Sequence, residues 1–126
     1  MHIPPELRYS TDHEWVRVEG NVVTIGITEF AQDALGDVVF VEVPERGAVL
    51  ASGESFTEVE STKSVSDIYA PVSGSIVEVN DALESAPELL NSDPYGDGWI
   101  CRIQFEDPTE LDGLLDAEGY RALTEG

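Results

Sequence analysis

Apolar and polar residues alternate along this chain in short runs broken by glycine, proline and asparagine. That is the pattern of strands joined by turns. Glu14-Trp15-Val16-Arg17-Val18 alternates and stops at Glu19-Gly20-Asn21, a hairpin-type turn. Val22-Val23-Thr24-Ile25-Gly26-Ile27 follows as the partner strand, rich in β-branched residues. Thr28 is placed to cap a short helix from Glu29 to Leu35, with Glu29 at its positive end and Gly36 at its stop. Residues 37–43 form the most apolar strand candidate, ended by Pro44 and the turn at Gly47. Residues 54–60 and 66–72 form a further pair, followed by strands at 75–79 and 99–105. Asn80 and Ala86-Pro87-Glu88 open two short helical pieces, with Pro87 suited to a first helical position. The tail predicts two helices, one from near Asp107-Pro108 and one over residues 116–123, with Tyr120 and Leu123 on a shared face. Many short strands with edge and terminal helices predict a mainly β sandwich or small barrel.

The pair 54–60 and 66–72 brackets Lys63. Gly53 precedes that lysine by ten residues and Gly74 follows it by eleven, which suits a hairpin with Lys63 at its apex and a turn at each foot. Glycine is useful at such feet because it takes positive φ without steric cost. The first arm departs from simple alternation, since Phe56 and Val59 cannot lie on one face of a regular strand.

The length of 126 residues predicts one domain, 1–126, able to bury a core without staples. No run approaches the roughly 20 apolar residues of a membrane span. The opening Met1-His2-Ile3-Pro4-Pro5-Glu6 lacks the basic and apolar regions of a leader, so the chain is expected to stay in the cytoplasm. The formal charge of -20, from 26 acids against five arginines and one lysine, excludes a nucleic-acid backbone or an anionic membrane as main partner. It favours encounter with basic protein surfaces. Cys101, the single cysteine, permits no internal disulfide and reads as a buried, inert thiol in a strand. His2 and His13 are the only histidines, too few for a structural zinc site, and His13 reads as a packing or strand-surface residue.

Lys63 is the only lysine, set among the small residues Ser61, Thr62 and Ser64. A four-carbon stem on a protruding turn gives an attached acyl group reach and rotational freedom, as a carrier requires. Spacing alone leaves the ordinary alternative open: most lysines are solvated and do nothing further.

The segment Glu60-Ser61-Thr62-Lys63-Ser64-Val65-Ser66-Asp67-Ile68-Tyr69-Ala70-Pro71-Val72-Ser73-Gly74 resembles the lipoylation segment of the glycine cleavage system H protein family. His13-Glu14-Trp15-Val16 is similar to the family's opening signature, and Val23-Thr24-Ile25-Gly26-Ile27-Thr28 to its second strand and turn. Leu35-Gly36-Asp37-Val38-Val39-Phe40-Val41 and Asn91-Ser92-Asp93-Pro94-Tyr95-Gly96-Asp97-Gly98-Trp99 resemble two later stretches. The resemblance implies a barrel-sandwich hybrid of two antiparallel sheets plus C-terminal helices, with lipoic acid in amide linkage to Lys63 at a hairpin tip. It implies a non-catalytic shuttle; the oligomeric state stays open, with a monomer as the default expectation. Such a shuttle takes an aminomethyl group from the pyridoxal-phosphate-dependent glycine decarboxylase (P protein) to the tetrahydrofolate-dependent aminomethyltransferase (T protein). Dihydrolipoyl dehydrogenase (L protein) reoxidises it, and a lipoate-attaching enzyme loads it. Glu14 and Asp67 match family positions that line a pocket for the cationic amine, and Asp12 stands where relatives carry a small hydroxyl residue. Thr62 stands where many relatives carry an aliphatic one.

Four other readings stand beside this one. A lipoyl relay to other enzymes would use the same residues. A biotin carrier is disfavoured because methionines do not flank Lys63. A binding module that had lost the cofactor would have no use for Lys63, Glu60 and Asp67. A direct enzyme lacks a nucleophile–base pair or a Gly-rich phosphate loop in the sequence.

Overall fold

The computed structural model describes residues 2–125; Met1 and Gly126, the two ends of the expected 1–126 domain, lie outside them. The hairpin predicted at Gly20 forms as β2 (Glu14–Glu19) and β3 (Val22–Ile27), paired from Glu14↔Ile27 to Glu19↔Val22. Helix α1 (Glu29–Leu35) follows, with the Thr28 hydroxyl accepting from Ala31 N–H at 3.2 Å. Strands β4 (Val38–Val41), β6 (Ser55–Ser61), β7 (Val65–Tyr69), β8 (Gly74–Val79) and β9 (Cys101–Phe105) follow the predicted pattern; β4, β7 and β9 are shorter than expected, β6 is shifted by one residue and β8 starts one residue earlier. Two strands of two residues each, β1 (Arg8–Tyr9) and β5 (Val49–Leu50), are too short to show alternation and were not predicted.

All pairings are antiparallel. One sheet has the order β1-β2-β3-β9-β8-β5 and the other β4-β6-β7. Among the described residues both sheets are open, each ending in two edge strands, so the two-sheet architecture is realised without closure into a barrel. The main core draws on both sheets, with Val23, Ile25, Val59, Ile76 and Ile103 buried in it. A second cluster joins Ile3, Leu7, Tyr9 and Trp15 to Tyr120 on α5 (Ala117–Glu125).

Three departures have local causes. In β6 the register changes between Ser55↔Tyr69 and Thr57↔Ile68, so Phe56 is the extra residue of a bulge. The bulge lets Phe56 pack on the core without sharing the strand face of Val59, which resolves the broken alternation. Gly53 does have φ +87, but Gly74 does not take positive φ. It opens β8, where a β-carbon would come within 2.1 Å of Gln104 O, so close strand approach requires it. Tyr120 and Leu123, three apart on α5, share a face as expected, but the core covers only part of it: Tyr120 is buried and Leu123 is 46% exposed. Helix α5 presents Tyr120 to the second cluster, with Ala117 packed against it.

Short helices α2 (Ala82–Ser85), α3 (Leu89–Ser92) and α4 (Thr109–Asp112) complete the fold. Pro87 stands just ahead of α3, and its carbonyl accepts from Leu90 N–H. Among the described residues no helix is long and apolar enough to cross a membrane.

Candidate functional site

Lys63 lies in the three-residue loop Thr62-Lys63-Ser64 that joins β6 to β7, and it is exposed. Ser61 builds the loop. Its buried hydroxyl accepts from Lys63 N–H at 3.1 Å and Ser64 N–H at 3.2 Å and donates to Ser64 O at 3.2 Å. The backbone closes the same turn, with Ser61 N–H donating to Ser64 O at 2.8 Å. A serine in this role replaces a backbone turn with side-chain bonds. Thr62 N–H donates to Asp37 O at 3.0 Å, which pins the loop to the chain leaving α1.

That neighbouring segment is itself fixed. Asn91 Nδ2 donates to Gly36 O at 2.8 Å and to Gln32 Oε1 at 3.0 Å, while Val38 N–H donates to Asn91 Oδ1 at 2.8 Å. Gly36 has φ +81 and ψ -156, a region open essentially to glycine alone. A β-carbon on it would also stand 3.2 Å from Lys63 Cε, so the bare glycine leaves room for the lysine stem. Among the described residues the ion pairs are Arg102–Glu78 and Arg121–Glu125, and the Lys63 ammonium is in neither.

Beside the loop is a cleft of about 260 Å³. Helix α1 supplies Phe30, Ala31, Ala34 and Leu35; β7 supplies Ser66, Asp67 and Ile68; the turn before β2 supplies Asp12 and His13. Its floor is apolar and its rim carries two carboxylates. Asp67 is exposed, with Oδ1 accepting from Ser55 Oγ at 3.3 Å.

Glu14 lines a second cleft of about 180 Å³, together with Tyr9, Ser10, Ala70 and Leu115. The structure therefore sets Asp67 and Glu14 on different clefts, with Asp12 lining both. Glu14 is 1% exposed. Ser10 Oγ donates to its Oε1 at 2.5 Å, and Tyr69 N–H lies 3.5 Å from its Oε2. Burial raises its carboxyl to about 7, with nearby Asp12 adding to the rise and the bonds from Ser10 and Tyr69 opposing it. Glu14 can thus hold or release a proton near neutral pH.

His13 is a cleft residue, which the sequence did not signal. Its ring packs on Phe30, with centroids 4.6 Å apart. Nδ1 lies 2.8 Å from Tyr120 Oη, a partner 107 residues away and so invisible to any local pattern. Burial lowers its pKa below the ordinary imidazole value, against an opposing pull from Asp12. Cys101 is buried in β9, and burial pushes its thiol up to about 12. Among the described residues no group of three or more His, Cys, Asp or Glu is placed to hold a metal.

Comparison with known proteins agrees along the whole chain. The family model described as glycine cleavage H-protein matches residues 7–126. A glycine cleavage system H protein of Symbiobacterium thermophilum is 59% identical over 123 residues, covering 98% of this chain and 96% of the relative. One of Thermus thermophilus is 58% identical over 125 residues, covering 99% and 98%. The crystal structure of a glycine cleavage system H protein from Mycobacterium marinum superposes with a TM-score of 0.90 at 44% identity, covering 98% of this chain and 100% of that one.

Proposed function

This chain belongs to the glycine cleavage H-protein family, and from that premise we propose that it is a lipoyl-bearing shuttle with Lys63 as its attachment point. The observation that supports this is the exposed amine on a loop held by Ser61, next to a cleft with an apolar floor. The residues fit the group. A cleft of about 260 Å³ is just under the roughly 300 Å³ at which small-molecule pockets begin, and suits a slim chain. When bound, the lipoyl group would supply a disulfide able to take up an aminomethyl group, and it would be left as a dithiol once that group has been handed on.

The protein's own residues do the presenting. Lys63 provides the stem, and acylation removes its charge, so the arm can lie on Ile27, Phe30, Leu35 and Ile68 without burying an ammonium. Asp67 and Glu14 accept the cationic amine of the cargo, joined by Asp12, which both clefts share. Glu14 gives up its proton as a cation approaches, because an opposite charge favours the carboxylate. Near neutral pH the carboxyl is partly protonated while the site is empty of cation, and the arriving cargo shifts it toward the carboxylate.

On this reading the chain has no catalytic residue of its own. It takes cargo from a pyridoxal-phosphate-dependent glycine decarboxylase and delivers it to a tetrahydrofolate-dependent aminomethyltransferase. Dihydrolipoyl dehydrogenase restores the disulfide, and a lipoate-attaching enzyme loads Lys63. It works in the cytoplasm as a single-domain monomer. The test is reconstitution: the lipoylated chain, mixed with matched partners, should support glycine-dependent formation of methylene-tetrahydrofolate. Lipoylated protein that fails to do so with active partners refutes the glycine-cleavage role.

A further inference from the structure

His13 has φ +70, the one positive value among the described residues that are not glycine. Such backbone is unfavourable for an L residue and persists where the surroundings over-determine it. Here they do. His13 N–H donates to Ser10 O at 3.2 Å, and Thr28 N–H donates to His13 O at 3.1 Å. The ring is clamped between Phe30 and the hydroxyl of Tyr120. Tyr120 is fully buried, and its ring stacks on Tyr9 at 4.7 Å and 13°. The residues leading into α5 are tied to β1, with Leu115 and Tyr9 exchanging backbone bonds of 2.7 and 2.8 Å. Three parts of the fold thus converge on one phenolic oxygen, which also lies 2.7 Å from Thr28 Oγ1.

We propose that Tyr120 is a positioning residue for the cleft beside Lys63: its hydroxyl fixes the His13 ring as a neutral wall and leaves Nε2–H as the ring's free donor. The direction of the chain follows from counting hydrogens. Thr28 is buried, and its hydroxyl has two partners among the described residues, Ala31 N–H, which can only donate, and Tyr120 Oη; its own hydrogen therefore goes to Tyr120 Oη. The Tyr120 hydrogen then goes to His13 Nδ1, and every hydroxyl hydrogen is used. An acceptor Nδ1 puts the ring proton on Nε2. The charged groups around this ring are Asp12, next to it in the chain, and Asp67, across the cleft on β7. A neutral imidazole between those acids does not repel a cationic cargo, and Nε2–H can donate to the amide oxygen of an arm. The role toward an arm rests on the lipoyl reading above; the tautomer and the clamp do not.

The experiment compares the unaltered chain with Tyr120→Phe, which keeps the stacked ring and removes only the oxygen. Nitrogen-15 NMR of the unaltered protein should show His13 as the Nε2–H tautomer, with His2 as the one other histidine signal. In Tyr120→Phe the neutral ring loses a donor, so the His13 titration midpoint should rise. For the lipoylated chain, reduction of the arm by tris(2-carboxyethyl)phosphine should quicken about five-fold, the factor one neutral hydrogen bond commands. An Nδ1–H tautomer in the unaltered protein overturns the proposal even if the variant does not fold. So does a folded variant with unchanged midpoint and unchanged reduction rate. If Lys63 proves never to be lipoylated, the carrier reading fails, while the tautomer and midpoint still decide the clamp.

Discussion

Replacing Glu14 with glutamine probes the buried carboxyl at nearly constant shape. Burial moves this group from an ordinary 4.5 to about 7, which penalises the ionised folded state by about 3 kcal/mol. The sign follows from linkage. The folded protein binds this proton more tightly than the unfolded chain, so the penalty is absent below the unfolded value of 4.5, grows as pH rises, and is complete above about 7. Glutamine carries no such penalty. Its amide loses something in return, because one end must face Tyr69 N–H, now 3.5 Å from Oε2; that costs roughly 1 kcal/mol. Above pH 7 the variant should therefore be more stable by about 2 kcal/mol, and near pH 4.5 less stable by about 1 kcal/mol. Thermal melts from pH 4.5 to 8.5 should cross. The high negative charge of the chain lowers stability toward alkaline pH in both proteins and largely cancels in the difference. A constant offset between the two curves would refute the reasoning. Function should move the other way: the variant cannot supply a carboxylate, so it should take up the lipoyl group normally and retain the cationic cargo for a shorter time.

Lys63→Arg keeps the charge but offers no acylable amine; it should melt like the parent and incorporate no lipoyl group in a ligase assay. Ser61→Ala removes the hydroxyl that holds the loop, and should cost about 1–2 kcal/mol in denaturant unfolding and slow lipoylation. Gly36→Ala forces a β-carbon into a glycine-only conformation and toward the Lys63 stem, and should cost about 1–3 kcal/mol. Its loss should be the same in Lys63→Arg if backbone strain dominates, and smaller in Lys63→Ala if contact with the stem contributes. Cys101 should stay unreactive toward a disulfide-exchange reagent until the protein unfolds, read as thiol release against denaturant.

Local pattern carried much of the fold because its elements are short and sharply punctuated. The β2–β3 hairpin around Gly20 and the Thr28-capped helix needed only neighbours in sequence. The bulges at Val39, Phe56 and Val77 were hidden because a bulge exists only relative to the partner strand; Phe56 showed as a break in alternation without revealing its cause. Strands β1 and β5 fell below the length at which alternation can be recognised. At the site, Lys63 stood out by its uniqueness and small neighbours. The hydroxyl of Ser61 was visible only as a small flanking residue, since its three bonds require the turn to be closed. The link from His13 to Tyr120 and Thr28 joins three remote segments, and no spacing rule reaches across them. Asp67 and Glu14 are grouped by resemblance, whereas the structure sets them on two clefts that have Asp12 as a common lining residue.

The account rests on one amine serving as the attachment point, and intact mass with peptide mapping tests that most directly. Protein isolated from cells that make lipoate and a lipoate-attaching enzyme should carry one lipoyl increment, confined to the peptide containing Lys63. A chain that stays wholly unmodified in such cells, or carries a biotin increment there instead, contradicts the account.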